Sequence, residues 1–124
     1  MLFRSGTIDE AAFFEAGHIV VEIGKERRSS FAERHVAMLG RQRRVEVTTS
    51  SFAVAPWLLP GTDRLTVMHE RLARLSMEVL PLACAPLPFE FPPMRQMVQL
   101  HRSREGDPGV TWFLDELRLA LGQS

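Results

Sequence analysis

An α/β fold built on a largely parallel sheet is what this 124-residue sequence predicts. Short β-branched runs alternate with segments of helical apolar spacing. Hydroxyl or carboxylate side chains stand where the helices should begin, and glycines stand where they should end.

Thr7-Ile8-Asp9-Glu10 has the spacing of a capping box, which predicts a helix continuing through Ala16 and stopped by Gly17. His18-Ile19-Val20-Val21-Glu22-Ile23 lies between Gly17 and Gly24 and reads as a buried strand. Lys25 to Arg28 form a charged loop. Ser30 to Glu33 make a second capping box, opening a helix with Phe31, His35 and Met38-Leu39 near one face before Gly40. Arg41-Gln42-Arg43-Arg44, with no aromatic residue interleaved, reads as a solvated loop and not as a nucleic-acid contact. It leads into a strand, Val45 to Thr49, in which Val45 and Val47 alternate with Glu46 and Thr48.

A short helix is expected to begin at Ser50-Ser51-Phe52, and Pro56 limits it to about two turns because proline lacks the N–H. Gly61-Thr62-Asp63 should turn the chain into a strand over 65–68 and a helix over 69–77, with one more strand from Leu80 to Ala85. Pro86 to Pro93 read as a connector of restricted backbone. Met94 to Leu100 alternate as a strand. Asp107-Pro108 are a cap and first-turn pair for a helix lined by Val110, Phe113, Leu114, Leu117 and Leu121 and ended by Gly122.

Composition excludes several function classes. Lys and Arg balance Asp and Glu at 15 each, whereas a free-standing nucleic-acid binder is usually basic. Cys84 is the single cysteine, so no intrachain disulfide can form; it stands in an apolar run and reads as buried filler. No apolar stretch approaches the roughly 18 residues a membrane span needs, and the N-terminus does not read as a signal peptide. The cytoplasm is the expected location. His18, His35, His69 and His101 have no metal-ligand spacing, and there is no Gly-rich phosphate loop or nucleophile elbow. Neither a metal nor a cofactor is expected.

The order of elements carries a family resemblance. Gly17 to Val21, the run from Arg43 to Phe52, Pro56 to Leu65, Leu87 to Pro93, and His101 followed by Asp107-Pro108-Gly109 and Trp112-Phe113 together resemble the C-terminal part of LysR-type transcriptional regulators. The similarity is greatest to the branch of nodulation and aromatic-acid-responsive regulators. It implies a periplasmic-binding-protein-like lobe with an incomplete second lobe. Residues 1–18 would cross from a first effector lobe, 19–93 would form a second lobe, and 94–124 would return a strand and helix to the first. Met68 departs from the pattern, standing where a proline is common.

The resemblance implies a ligand sensor that is not an enzyme. Its partners would be a small-molecule effector and a second copy of the chain. Promoter DNA would be reached only through a helix-turn-helix domain outside this chain. Thr49, Ser50, Ser51 and Phe52 would form the effector site, with His18 and His101 near the two crossings. A helix start with free N–H groups beside hydroxyls suits a carboxylate, aromatic ones first; equally, one serine simply caps the helix. The rival readings are a small α/β enzyme centred on Ser51, and an interaction module presenting Trp57 and Trp112.

Overall fold

In a computed structural model, residues 7–122 are described, so the N-terminal residues judged above for a signal peptide fall outside it. Contacts divide the chain into two compact units, Met1–Pro93 and Met94–Ser124.

The first unit opens with α1 (Glu10–Glu15). Its cap is Asp9, not Thr7: the Asp9 carboxylate accepts from the Ala12 N–H at 2.7 Å. Helix α1 buries Phe13 and Phe14, and the chain enters β1 (Gly17–Ile23) directly. A two-residue strand, β2 (Arg28–Ser29), returns antiparallel on the end of β1. Then comes α2 (Phe31–Met38), capped by Ser30, whose hydroxyl accepts from the Glu33 N–H at 3.3 Å. Its buried side chain is Val36, while Met38 is 82% exposed, so the predicted face is rotated. Phe31 and His35 instead meet Phe91 ring to ring.

Strand β3 (Arg44–Thr49) runs parallel to β1, giving the sheet order β2-β1-β3. The pairing goes from His18↔Val45 to Ile19↔Val47, so Glu46 is an extra residue without an opposite number. Such a bulge resets the alternation. Val45 and Val47 therefore point to opposite faces, against the sequence expectation, and Val45 is exposed. On the other edge of β1, Leu65 makes one parallel bridge with His18. The expected strand over 65–68 shrinks to two bonds, Leu65 N–H to the Gly17 carbonyl and Ile19 N–H to the Leu65 carbonyl, both 2.9 Å.

The first unit holds two buried apolar clusters. Ile19 and Val21 pack with Ala55, Leu59 and Ala73. Phe13, Phe14, Val36, Leu65, Val67 and Ala85 form the other cluster, against which Leu87, Phe89 and Phe91 also pack. The proline-rich stretch is thus more than a connector, because it lays three apolar side chains on a core. Helix α3 (Glu70–Val79) buries Ala73 and Ser76.

In the second unit Met94 to Leu100 carry no ladder, and every residue from Pro92 to Leu100 is exposed. The period of two is present, but a strand needs a neighbour's backbone groups. Helix α4 (Pro108–Ala120) starts as predicted, with Asp107 accepting from the N–H groups of Gly109 and Val110. It buries no residue, and Phe113 and Leu121 remain exposed.

Candidate ligand site

In an open parallel sheet the carboxyl ends of the strands are where backbone and side chains diverge to leave a crevice. Here that end of β3 carries Thr49-Ser50-Ser51-Phe52. Thr49 pairs with Val21, so the segment emerges beside the far half of β1.

The expected helix does not begin at Ser50. Residues 52–54 form a turn, and a single 3-10 helix follows over Ala55–Leu58, with Pro56 in its first turn. Proline supplies no N–H at the position where an α-helix would continue, so the tighter turn wins. The Ser51 hydroxyl accepts from the Val54 N–H, and the Ser51 N–H donates to the Thr49 hydroxyl, both at 3.3 Å. One donor expected for a ligand, the Ser51 N–H, is therefore used locally, while the Ser51 hydroxyl oxygen serves the turn as an acceptor. The Ser50 hydroxyl and the N–H groups of Phe52 and Ala53 have no hydrogen-bond partner among the described residues. Ser50 and Ala53 are exposed, and the Phe52 ring is half-buried against Ile19 and Val21's cluster. What this end offers is one hydroxyl and two consecutive amides beside an aromatic ring.

Within the first unit, the structure does not bring His18 to this group. His18 lies three residues before Val21 on β1, about 10 Å along the strand from the level of Thr49. It is fully buried. One ring nitrogen, Nδ1, lies 3.3 Å from a guanidinium nitrogen of Arg43, and Nε2 lies 2.7 Å from the Phe13 carbonyl oxygen. Arginine only donates and a carbonyl only accepts, so the ring is neutral with its proton on Nε2. Burial first, then Arg43 and Arg44, push His18 down to about 4, against the opposing pull of the Phe13 carbonyl and Glu46. His101 belongs to the second unit, where its Nδ1 accepts from the Ser103 N–H at 3.2 Å and caps a turn over Arg102–Arg104.

Arg43 is the residue sequence reasoning missed. Placed in a loop read as solvated, its side chain is only 4% exposed, ion-paired with Glu33 of α2 and turned to His18. Burial lowers its pKa to about 10, which leaves it cationic at neutral pH. Arg41 is engaged as well, pairing with Glu10 and standing 4.0 Å over the Phe14 ring. The residue types in the run could not show which carboxylates fold back onto it.

A surface concavity of about 440 Å3 lies elsewhere, lined by His35, Glu90, Phe91 and Pro92. Its His35 nitrogen is 3.3 Å from the Glu90 carbonyl oxygen. Among the described residues, no three His, Cys, Asp or Glu side chains gather as a metal site, and no helix is long and apolar enough to cross a membrane.

Comparison with known proteins adds to this geometry. The chain is 32% identical over 105 residues to nodulation protein D 2 of Rhizobium tropici, covering 85% of this chain and 33% of that protein. Nodulation protein D 1 of Rhizobium leguminosarum bv. phaseoli is likewise 32% identical over 105 residues. The chain thus spans about a third of the length of the curated relatives it matches. Among solved structures, the probable transcriptional regulator PA0477 of Pseudomonas aeruginosa superposes with a TM-score of 0.65 at 28% identity, over 72% of this chain and 30% of that one. The regulatory domain of MexT, a transcriptional activator of the same organism, gives 0.68 at 18% identity, over 94% of this chain and 58% of that one. No protein-family model matches the chain.

Proposed function

We propose that this chain, which belongs with the LysR-type transcriptional regulators by its sequence relatives and its fold, is a ligand-sensing part of such a regulator that binds a small carboxylate, aromatic ones first, at the end of β3. The observation that carries the reading is the pair of unpartnered amides at Phe52 and Ala53 with the exposed Ser50 hydroxyl at the carboxyl end of a parallel strand. Successive N–H groups there suit an anion, and Phe52 offers apolar contact to a ring. Ser51 acts as the turn's cap, with Thr49 orienting it. His18 and His101 are left out of the ligand shell for the reasons of burial and local capping given above.

The relatives are transcriptional regulators, which sets aside the enzyme centred on Ser51. The hydroxyl of Ser51 also accepts from a backbone N–H instead of donating to a base. Within the complete regulator, promoter DNA would be held by a separate domain, and a second copy of the chain would be the oligomeric partner. A ligand shifts such a protein only through contacts that differ between two arrangements.

The test is titration of a regulator containing this segment with a panel of small aromatic carboxylates. Each charge-assisted hydrogen bond contributes about 1.5–3 kcal/mol, so Ser50→Ala should weaken binding roughly ten- to a hundredfold. Phe52→Ala should weaken aromatic members more than aliphatic ones. Unchanged affinity for every member in both variants would place the site elsewhere.

A further inference from the structure

We propose that the His18–Arg43 contact is an acid-opened latch holding α1 against the start of β1. The ring stands where the chain leaves α1, and its Nε2–H donates to the Phe13 carbonyl inside that helix at 2.7 Å. Its other nitrogen accepts from Arg43, which is anchored in turn by Glu33 of α2. A single neutral imidazole therefore joins α1, β1, the entry to β3 and, through Arg43, α2.

Protonation breaks this arrangement for a geometric reason. The Nδ1 lone pair that receives Arg43 would become an N–H facing a guanidinium N–H, with two positive charges at hydrogen-bond distance. The charged groups around the ring are Arg43 from the loop and Arg44 and Glu46 from β3, with Glu33 of α2 behind Arg43. The Phe13 carbonyl is the polar group from α1. Glu33 is committed to Arg43, and Glu46 to Arg64 at 2.6 Å and Arg44 at 3.2 Å. Neither carboxylate is therefore free to receive a protonated ring.

The helix it would release is short. At six residues α1 is far below the length that persists in water without tertiary support. Its other ties include the buried Phe13 and Phe14 rings, with Arg41 over Phe14, and the exposed Arg41–Glu10 pair. The folded ring, at about 4, holds its proton less tightly than a free imidazole near 6.5. The latch is thus complete above pH 6.5 and weakens as pH falls toward 4.

Amide hydrogen exchange as a function of pH tests this in the chain as it stands. Between pH 7 and 4, protection factors at Phe13 and Ala16 should fall about a hundredfold, while those of Val21 in the sheet and Ala73 in α3 hold. In His18→Gln, whose amide can serve both partners without taking a proton, the fall should vanish. Should that variant not fold, Arg43→Gln removes the facing charge and offers an amide oxygen to a protonated Nδ1, so the acid-driven fall should shrink. Constant protection at Phe13 in the wild type overturns the proposal. So does loss in step with Ala73, an equal fall in His18→Gln, or an undiminished fall in Arg43→Gln.

Discussion

The two ends of the β1–β3 pair are built from similar material and do opposite things. At the entry end, His18, Arg43 and Glu33 form a chain of contacts, and Arg44 and Arg64 hold the neighbouring Glu46. His18 is buried, and each of its nitrogens is engaged. At the exit end, one hydroxyl and two amides are left facing out beside a half-buried ring. Polar groups that satisfy one another stiffen a fold; polar groups left unpaired at a strand end are available to a ligand. The difference separates a buried, fully engaged histidine from an exposed serine, although both stand in segments that resemble functional parts of one family.

Substitutions at the two ends should therefore diverge. Arg43→Ala leaves Glu33 and the His18 acceptor without their shared partner, and should lose about 3 kcal/mol in urea unfolding. Ser50→Ala should stay within about 0.5 kcal/mol of wild type. Equal losses in both would erase the contrast. Gly17→Ala gives an intermediate case, because a Cβ there would fall on the Glu46 carboxylate, which Arg64 and Arg44 hold in place. A cost of about 1 kcal/mol is expected by the same assay, and none at all would mean that this carboxylate swings freely. Smaller than that is Ser51→Ala, which removes one long bond to Val54 in an exposed turn. About 0.5 kcal/mol of stability should go. If carboxylate affinity collapses while stability holds, Ser51 is a ligand contact and not a cap.

What was legible in the sequence was whatever is local. Ser30 and Asp107 cap the helices their spacing announces, and the apolar run between Gly17 and Gly24 is the buried strand. Asp9 displaced Thr7 as a cap because both spacings were present, and only the backbone path decides between them. The bulge at Glu46 was hidden: the alternation of Val45 and Val47 is intact in the sequence, and a register shift depends on the partner strand. Arg43 was hidden for a similar reason, since charge is written in the chain but the distance to Glu33 is not. The second unit shows the converse. The apolar stripe of α4 was read correctly as a pattern, yet the helix buries nothing in this chain. Periodicity states that a face is apolar without naming what covers it. At the ligand site, the position of Ser50 to Phe52 came from resemblance, while which donors remain unpaired came from the turn that Pro56 imposes.

Backbone amide shifts during titration of the chain with benzoate test the central claim most directly, because they report the two donors themselves. The account predicts saturable shifts at Phe52 and Ala53, lost or strongly weakened in Ser50→Ala, with the amides around His18 unmoved. Shifts centred on β1's entry end or on the His35–Phe91 concavity, with Phe52 and Ala53 silent at saturation, would contradict it.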